Sequence, residues 1–271
     1  EKVIDTKFQS ITTLGVAMIA LGEDIGSQMA LRLFESLFNC GDLPVKRAVP
    51  LGLGMLHVSQ PTVRVMDTLS KFTHDSDDEI ASNGILSLGL IGAGTKNARI
   101  AKMLRELAVY YKKSPSTLFI VKIAQGLLYA GKGLVSFSPL HSENLILKPV
   151  ALSSLLILMH AAVDMKKTIL SKYHYLIYEL VNAIRPRMFV TVNEKFKPVK
   201  VNVRVGQAVD VVGKAGTPKS ITGFQTYETP VTLQYSDKAE FASNKYIPLT
   251  DILEGIVIVK RNPDYDSDED D

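Results

Sequence analysis

The stretch Ser82-Asn-Gly-Ile-Leu-Ser-Leu-Gly-Leu-Ile-Gly-Ala-Gly94 decides how this 271-residue chain is read, because its pattern recurs. With Gly94 as the end of a unit, Gly89 lies five residues back and Ser87 seven. Both are small, and Leu86, Leu88, Leu90 and Ile91 fill the gaps. The same spacing ends at Gly22, with Gly15 and Ala17 small, and at Ser59, with Gly52 and Gly54 small. It ends again at Gly131, with Ala124 and Gly126 small, although Gln125 interrupts the apolar run. Successive unit ends are 37, 35 and 37 residues apart. A near-constant period of this length marks stacked supersecondary repeats.

One unit has a simple physical reading. A short helix that is apolar nearly all round must be buried on most sides. Glycine inside a helix costs about 1 kcal/mol relative to alanine, so it needs a packing reason. Small residues two apart let neighbouring backbones approach closely. A second, amphipathic helix follows each unit. Ala30, Leu31, Phe34 and Leu37 fall on one face with Arg32 and Glu35 off it, and Ala98, Ala101, Leu104, Arg105 and Ala108 are spaced similarly. Each unit is therefore expected to be an inner packed helix followed by an outer solvated one.

The linkers carry start and stop signals. Gly41-Asp-Leu-Pro44 ends one outer helix and starts the next inner one. His74-Asp-Ser-Asp-Asp-Glu79 places acids at a helix N-terminus, where the dipole favours them. It lacks the glycine and distal glutamate of a calcium loop. Lys112-Lys-Ser-Pro-Ser-Thr117 closes the third unit and starts the fourth. Residues 133–144 have no period and read as a surface loop. Residues 145–164 read as a long apolar helix interrupted near Pro149. Residues 168–184 fit a strand at Tyr173, Tyr175 and Ile177 and a helix at Leu176, Leu180, Ala183 and Ile184, with the second half favouring helix.

After Arg185-Pro-Arg187 the period switches to two. Val199, Val201, Val203 and Val205 alternate with Lys200, Asn202 and Arg204, a half-buried strand. Gly206-Gln207 reads as a turn after it. Further β-rich runs at 189–192, 221–227, 231–235 and 255–260 point to a small β-sandwich or barrel. The fold class is thus α+β: a helix–turn–helix repeat solenoid, then a β domain, then an acidic tail. The expected divisions are repeats over 1–140, closing helices over 141–185, the β domain over 186–263 and the tail over 264–271, which its composition marks as disordered.

Composition narrows the function. The net charge is +3, but Asp264–Asp271 hold six acids and no base, leaving +9 spread thinly over the rest. No dense Lys/Arg run with interleaved aromatics argues for nucleic acid. The single cysteine, Cys40, permits no intrachain disulfide and no cysteine zinc cluster, and fits a reducing compartment such as cytosol or nucleus. The most apolar run, Val150–Val163, contains Ser153, Ser154 and His160 and is too short for a membrane span. The chain opens at Glu1 without methionine, and nothing there has the order of a signal peptide. It reads as a piece of a longer protein.

A search for chemistry returns no constellation, so no catalytic, cofactor or metal residue is assigned. Gly213-Lys-Ala-Gly-Thr-Pro-Lys-Ser220 lacks the spacing of a phosphate loop, and Pro218 sits where an N–H is needed. Gly89-Leu-Ile-Gly-Ala-Gly94 has the spacing of a dinucleotide fingerprint reversed. The five histidines, His57, His74, His141, His160 and His174, show no metalloprotease pattern. His57 reads as a satisfied core histidine, Cys40 as a buried structural thiol, and His141 and His174 as residues that could meet near the boundary. Ser267, between acids, is a candidate site for an acid-directed kinase, and the tail itself reads as solubilising or as a dock for a basic surface.

The small positions at Gly15/Ala17, Gly52/Gly54, Ser87/Gly89 and Ala124/Gly126, with ends at Gly22, Ser59, Gly94 and Gly131, resemble the proteasome/cyclosome repeat family. That family includes the two largest non-ATPase subunits of the proteasome regulatory particle and the scaffold of the anaphase-promoting complex. Lys71-Phe-Thr-His-Asp75, Arg185-Pro-Arg-Met188, Val203–Gly213, Ile221-Thr-Gly-Phe-Gln-Thr226 and Ile252-Leu-Glu-Gly255 resemble the C-terminal portion of the smaller proteasomal branch. The resemblance implies a two-ring helical toroid and a non-enzymatic scaffold. Its implied partners are ATPase-ring subunits, ubiquitin, shuttle receptors with ubiquitin-like domains, and a ubiquitin-specific deubiquitinase. A β domain covering the toroid's end would supply the cap that terminal repeats require. Ser59 and Gln125 depart from the pattern, which implies less regular packing there. Other readings are a different α-solenoid, such as the cyclosome scaffold or a transport receptor, and an enzyme with a site between helices and strands.

Overall fold

A computed structural model describes residues 6–141, 146–209, 220–234 and 237–265, excepting the side chains of 6, 7 and 24. The chain forms two compact units, 1–139 with 148–184, and 140–147 with 185–271.

The first unit is helical. Its elements are α1 (Thr6–Ile19), α2 (Asp24–Cys40), α3 (Leu43–Leu56), α4 (Val63–Phe72), α5 (Asp78–Ile91), α6 (Ala98–Tyr110), α7 (Pro115–Leu128) and α8 (Pro149–Val163). The odd-numbered helices of the repeats form an inner layer: α1 packs on α3, α3 on α5, and α5 on α7. The even-numbered ones lie outside, α2 on α3, α4 on α5 and α6 on α7. Their sequences explain the layering. Residues 48–56 of α3 and 80–91 of α5 are buried without a break. The helix α4 buries only Val65, Met66, Leu69 and Phe72. On α2 the buried face is Ala30, Leu31 and Phe34. On α6 it is Ile100, Ala101, Leu104 and Leu107, while Ala98 and Arg105 are exposed. Of the face expected through Ala98, Ala101, Leu104, Arg105 and Ala108, Ala101 and Leu104 are buried and Ala108 packs against the core, while Ile100 and Leu107 complete the buried face in place of Ala98 and Arg105.

Three local expectations are corrected in this unit. The stretch expected to be loop over 133–144 contains a short strand, β1 (Val135–Phe137). Pro149 starts α8 instead of interrupting a helix, as a residue without an N–H suits a first helical turn. Residues 174–183 wind as a 3-10 helix after a run of turns, so the strand alternative at Tyr173–Ile177 is not taken.

The second unit is built of strands. After β2 (Ile184–Pro186) come β3 (Met188–Val192), β4 (Asn202–Val209), β5 (Ser220–Glu228), β6 (Val231–Thr232), β7 (Asp237–Phe241), β8 (Tyr246–Pro248) and β9 (Ile256–Arg261). One sheet has the order β6-β3-β9-β8, with β3 and β9 parallel, and another has the order β5-β4-β7, all antiparallel. Phe189, Val257 and Val259 of the first share one core with Val201, Val203, Val205 and Ala239 of the second. Val203 and Val205 are buried while Asn202 and Arg204 are exposed, the alternation a one-sided strand requires. The turn expected at Gly206-Gln207 is instead a bulge within β4, where the register shifts between Val205 and Gln207. A Cβ on Gly206 would lie 2.5 Å from the Ile221 side chain, so only glycine lets β5 pass there. Residues 140–147 join this unit through a bridge between Leu140 and Leu147. There His141 Nδ1 lies 3.1 Å from Glu254, whose other oxygen is 3.0 Å from buried Arg185.

Candidate functional site

The functional surface of a repeat array is set by how its units nest, so the small residues come first. A Cβ built on Gly54 of α3 would lie 2.7 Å from Ser87 Oγ of α5. One built on Gly89 of α5 would lie 2.6 Å from Ala124 Cα of α7. At the α3–α5 and α5–α7 seams one rule holds: the residue five before one unit end meets the residue seven before the next. Gly52 serves a different contact, its Cβ direction being filled by the Phe34 ring of α2 at 3.0 Å. Ala17 is fully buried. Gly15 and Gly126 meet nothing within 4 Å, so the close approach expected at them is absent. The seam rule gives the reason. Gly15 holds the seventh position of the first unit and Gly126 the fifth position of the last, and among the described residues no further repeat helix lies beyond either.

The unit ends form the second device. Gly22, Ser59, Gly94 and Gly131 all have left-handed backbones, with φ of 87°, 57°, 70° and 54°. Such a conformation costs an L-residue roughly 1–2 kcal/mol, which accounts for three glycines in four. Ser59 compensates with its hydroxyl, which donates to the Ala93 carbonyl and accepts from the Phe137 N–H, both at 2.8 Å. The looser packing expected at Ser59 is thus replaced by a buried bridge. Ser59 N–H reaches the Leu90 carbonyl and Gly94 N–H the Leu127 carbonyl. In each case the corner bonds the residue four before the next unit end. Gln125, also expected to loosen packing, donates from Nε2 to the Leu104 carbonyl of α6 and ties inner to outer helix.

Charges decorate this frame. Arg64 and Arg99, each five residues past a unit end, pair with Glu35 and Asp67 on the preceding outer helix. Exposed pairs of this kind contribute little to stability; they record the register. The acids at 75–79 cap α5: Asp77 accepts from the N–H groups of Glu79 and Ile80. Arg47 grips Asp77 at 2.7 Å and Glu79 at 2.6 Å. Burial alone would raise the Asp77 pKa; the Arg47 hydrogen bond and the two N–H donors outweigh it and hold the carboxyl below its usual range.

Other candidate residues fall as follows. Cys40 is exposed, not buried, because the end of α2 turns its last residue outward. His57 is buried, but neither ring nitrogen has a hydrogen-bond partner, so it is not a satisfied histidine. Burial lowers its pKa, with the nearby Gln60 side chain opposing. His141 pairs with Glu254, and His174 lies edge-on to Tyr175. Among the described residues no three His, Cys, Asp or Glu side chains are placed to hold a metal ion, and no helix is long and apolar enough to cross a membrane. Residues 213–219 of the glycine-rich loop, and Ser267 with residues 266–271, lie outside the described residues.

Residues 83–117, covering most of α5, all of α6 and the start of α7, match the family described as the proteasome/cyclosome repeat. The chain belongs to that family. Residues 212–265 of the β unit match a second description, the C-terminal region of the 26S proteasome non-ATPase regulatory subunit RPN1. Among relatives, 26S proteasome non-ATPase regulatory subunit 2 homolog A of Arabidopsis thaliana is 57% identical over 95% of the chain. The subunit 2 protein of Dictyostelium discoideum is 54% identical over 93%, and regulatory subunit rpn-1 of Neurospora crassa 50% over 99%. The chain spans 29%, 28% and 30% of their respective lengths. The proteasome/cyclosome repeats of this family thus account for the helical seams, and the RPN1 branch for the β unit. Sequence reasoning missed the seam rule, although its signal, two small positions offset by two, was in view.

Proposed function

We propose that the chain is part of a non-catalytic scaffold in the regulatory particle of the 26S proteasome. The observation that carries this reading is the identity of 57% over 95% of the chain with a non-ATPase regulatory subunit, spread across both units. In the whole protein the scaffold would bind ATPase-ring subunits and dock ubiquitin, shuttle receptors with ubiquitin-like domains and a ubiquitin-specific deubiquitinase, in cytoplasm and nucleus. The helical stack would continue as a solenoid that closes into a two-ring toroid. Support for continuation comes from the open side of the first pair. Phe8, Ile11 and Met18 of α1 and Ile25, Met29 and Leu33 of α2 are exposed, and Gly15 has room beside it. A row of this size is what a further repeat would bury.

The β unit argues against a transport receptor, whose solenoid is helical to its end, and its RPN1 match argues against the cyclosome scaffold. We further assign the acidic tail a solubilising or docking role, with Ser267 as a phosphoacceptor. Affinity capture of the native full-length protein from cell extract tests the assignment. ATPase-ring subunits are expected to co-purify, and their consistent absence would refute it. The intact mass of the captured protein should exceed the sequence mass by one phosphate; equality removes Ser267.

A further inference from the structure

Four strands form the outer edges of the two larger sheets: β6 and β8 of one, β5 and β7 of the other. An open edge invites pairing with another chain, and proteins blunt it by shortness, charge or proline. Three of the four are blunted. The strand β6 has two residues, β8 ends in Pro248, and β7 carries Asp237, Lys238 and Glu240 among its five. The nine residues of β5 hold no proline and a single charge, the terminal Glu228, and eight of the nine are exposed. Gly223 and Phe224 take up the register shift with β4, which leaves 225–228 straight. The direction of the backbone groups there can be read from the flanking bonds. Thr229 N–H donates to the Val201 carbonyl at 3.0 Å, one position beyond the pair Asn202 and Glu228. By antiparallel alternation, Tyr227 and Gln225 turn their N–H and C=O groups towards β4, and Thr226 and Glu228 turn theirs away. The Ala242 N–H bond to the Asn202 carbonyl sets the same alternation from the β7 side. No described strand pairs with the outward edge.

We propose that the free edge of β5 is a docking site for an extended, acidic segment of a partner protein, added as a further strand to the β5-β4-β7 sheet. The backbone fixes the conformation of the occupant. Thr226 and Glu228 offer two donors and two acceptors in one row, and only an extended chain presents the complementary row. The side chains fix its charge. Arg204 of β4 stands opposite Glu240 of β7, yet Glu240 pairs with Lys238 at 3.2 Å. The Arg204 guanidinium instead lies 5.2 Å from the centroid of the Phe224 ring on β5, turned towards the open edge, and makes no ion pair among the described residues. Glu228 is already neutralised by Lys200 at 2.9 Å. The uncompensated charge at this edge is therefore positive, and a carboxylate on the same face of the incoming strand would meet it. Phe224 and Tyr227, both exposed large side chains, give cross-strand contacts on the two faces of the added strand.

This goes beyond the scaffold reading and rests on it only in taking a protein as the partner. The test is an NMR titration of the full chain with the capped peptide acetyl-Thr-Val-Glu-Val-Thr-amide. Amide shifts are expected at Phe224, Thr226 and Glu228. A copy methylated on the nitrogens of the glutamate and the valine before it has neither edge free to donate, and is expected to bind at least about tenfold more weakly, the loss of one or two main-chain hydrogen bonds. A copy with lysine in place of the glutamate is expected to bind about threefold more weakly, the scale of one exposed ion pair, and this difference should disappear in Arg204→Gln. Thr226→Pro removes an outward N–H, which an edge strand tolerates, and should abolish the shifts while the rest of the amide spectrum is kept. Should that variant not fold, the methylated peptide and Arg204→Gln still decide. Undiminished binding of the methylated copy, equal affinity for the acidic and basic copies, or shifts confined elsewhere would overturn the proposal. So would a dimer of the unliganded chain in sedimentation, dispersed by Thr226→Pro, since a second copy would then be the occupant. Such a failure is distinct from failure of the scaffold reading, which the capture of ATPase subunits by the unsubstituted protein decides.

Discussion

Gly89→Leu is expected to destabilise the helical unit by more than about 3 kcal/mol, the upper end of overpacking costs. The reason is that the first added atom meets backbone, not a movable side chain. The Cβ would already lie 2.6 Å from Ala124 Cα, and α5 is buried on all sides over residues 80–91. Either α5 and α7 separate, opening a void along the seam, or the leucine is forced off-rotamer. Denaturant unfolding followed by helical circular dichroism reads the loss as a lower midpoint at unchanged slope. Gly126→Ala is the matched control. The same repeat position is open there, so alanine should stabilise by roughly 0.5–1 kcal/mol through helix propensity alone. If Gly89→Leu left the midpoint unchanged, close approach would not be what the glycine provides.

Gly94→Ala carries the second large effect, at a corner instead of a seam. The backbone φ is +70°, and a Cβ would fall 1.9 Å from the Val135 carbonyl oxygen. The left-handed conformation costs an L-residue roughly 1–2 kcal/mol and relief of a backbone clash about 1–3 kcal/mol more, so a loss of about 2–5 kcal/mol is expected. The displacement also breaks the Gly94 N–H bond to the Leu127 carbonyl. Hydrogen exchange at the Gly94 amide should therefore rise far more than at Gly126. A change below about 0.5 kcal/mol, the scale of a neutral surface substitution, would contradict the geometry.

These two residues show why the fold was legible. Gly89 and Gly94 are costly where they stand unless something requires them, and their recurrence exposed both seam and corner. The layers followed from apolar runs that leave a helix no solvated face. Gly15 and Gly126 were misread because sequence gives a position within a unit but not whether a neighbour stands beside it. Ser59 was misread because its hydroxyl partners, Ala93 and Phe137, lie 34 and 78 residues away. The bulge in β4 was taken for a turn because glycine serves both, and only the Ile221 side chain on the neighbouring strand distinguishes them.

The account rests on small residues from successive units nesting against one another. A double-mutant cycle of Gly54→Ala and Ser87→Gly tests this most directly. The alanine Cβ would lie 2.8 Å from Ser87 Cβ, and removing that side chain leaves Ser87 Cα at 3.1 Å as the nearest atom. Ser87 Oγ has no hydrogen-bond partner whose loss would blur the result. The account predicts that Ser87→Gly rescues Gly54→Ala, with a coupling of at least about 1 kcal/mol, above the 0.3–0.5 kcal/mol scatter of independent sites. Additive effects of the two substitutions would contradict it.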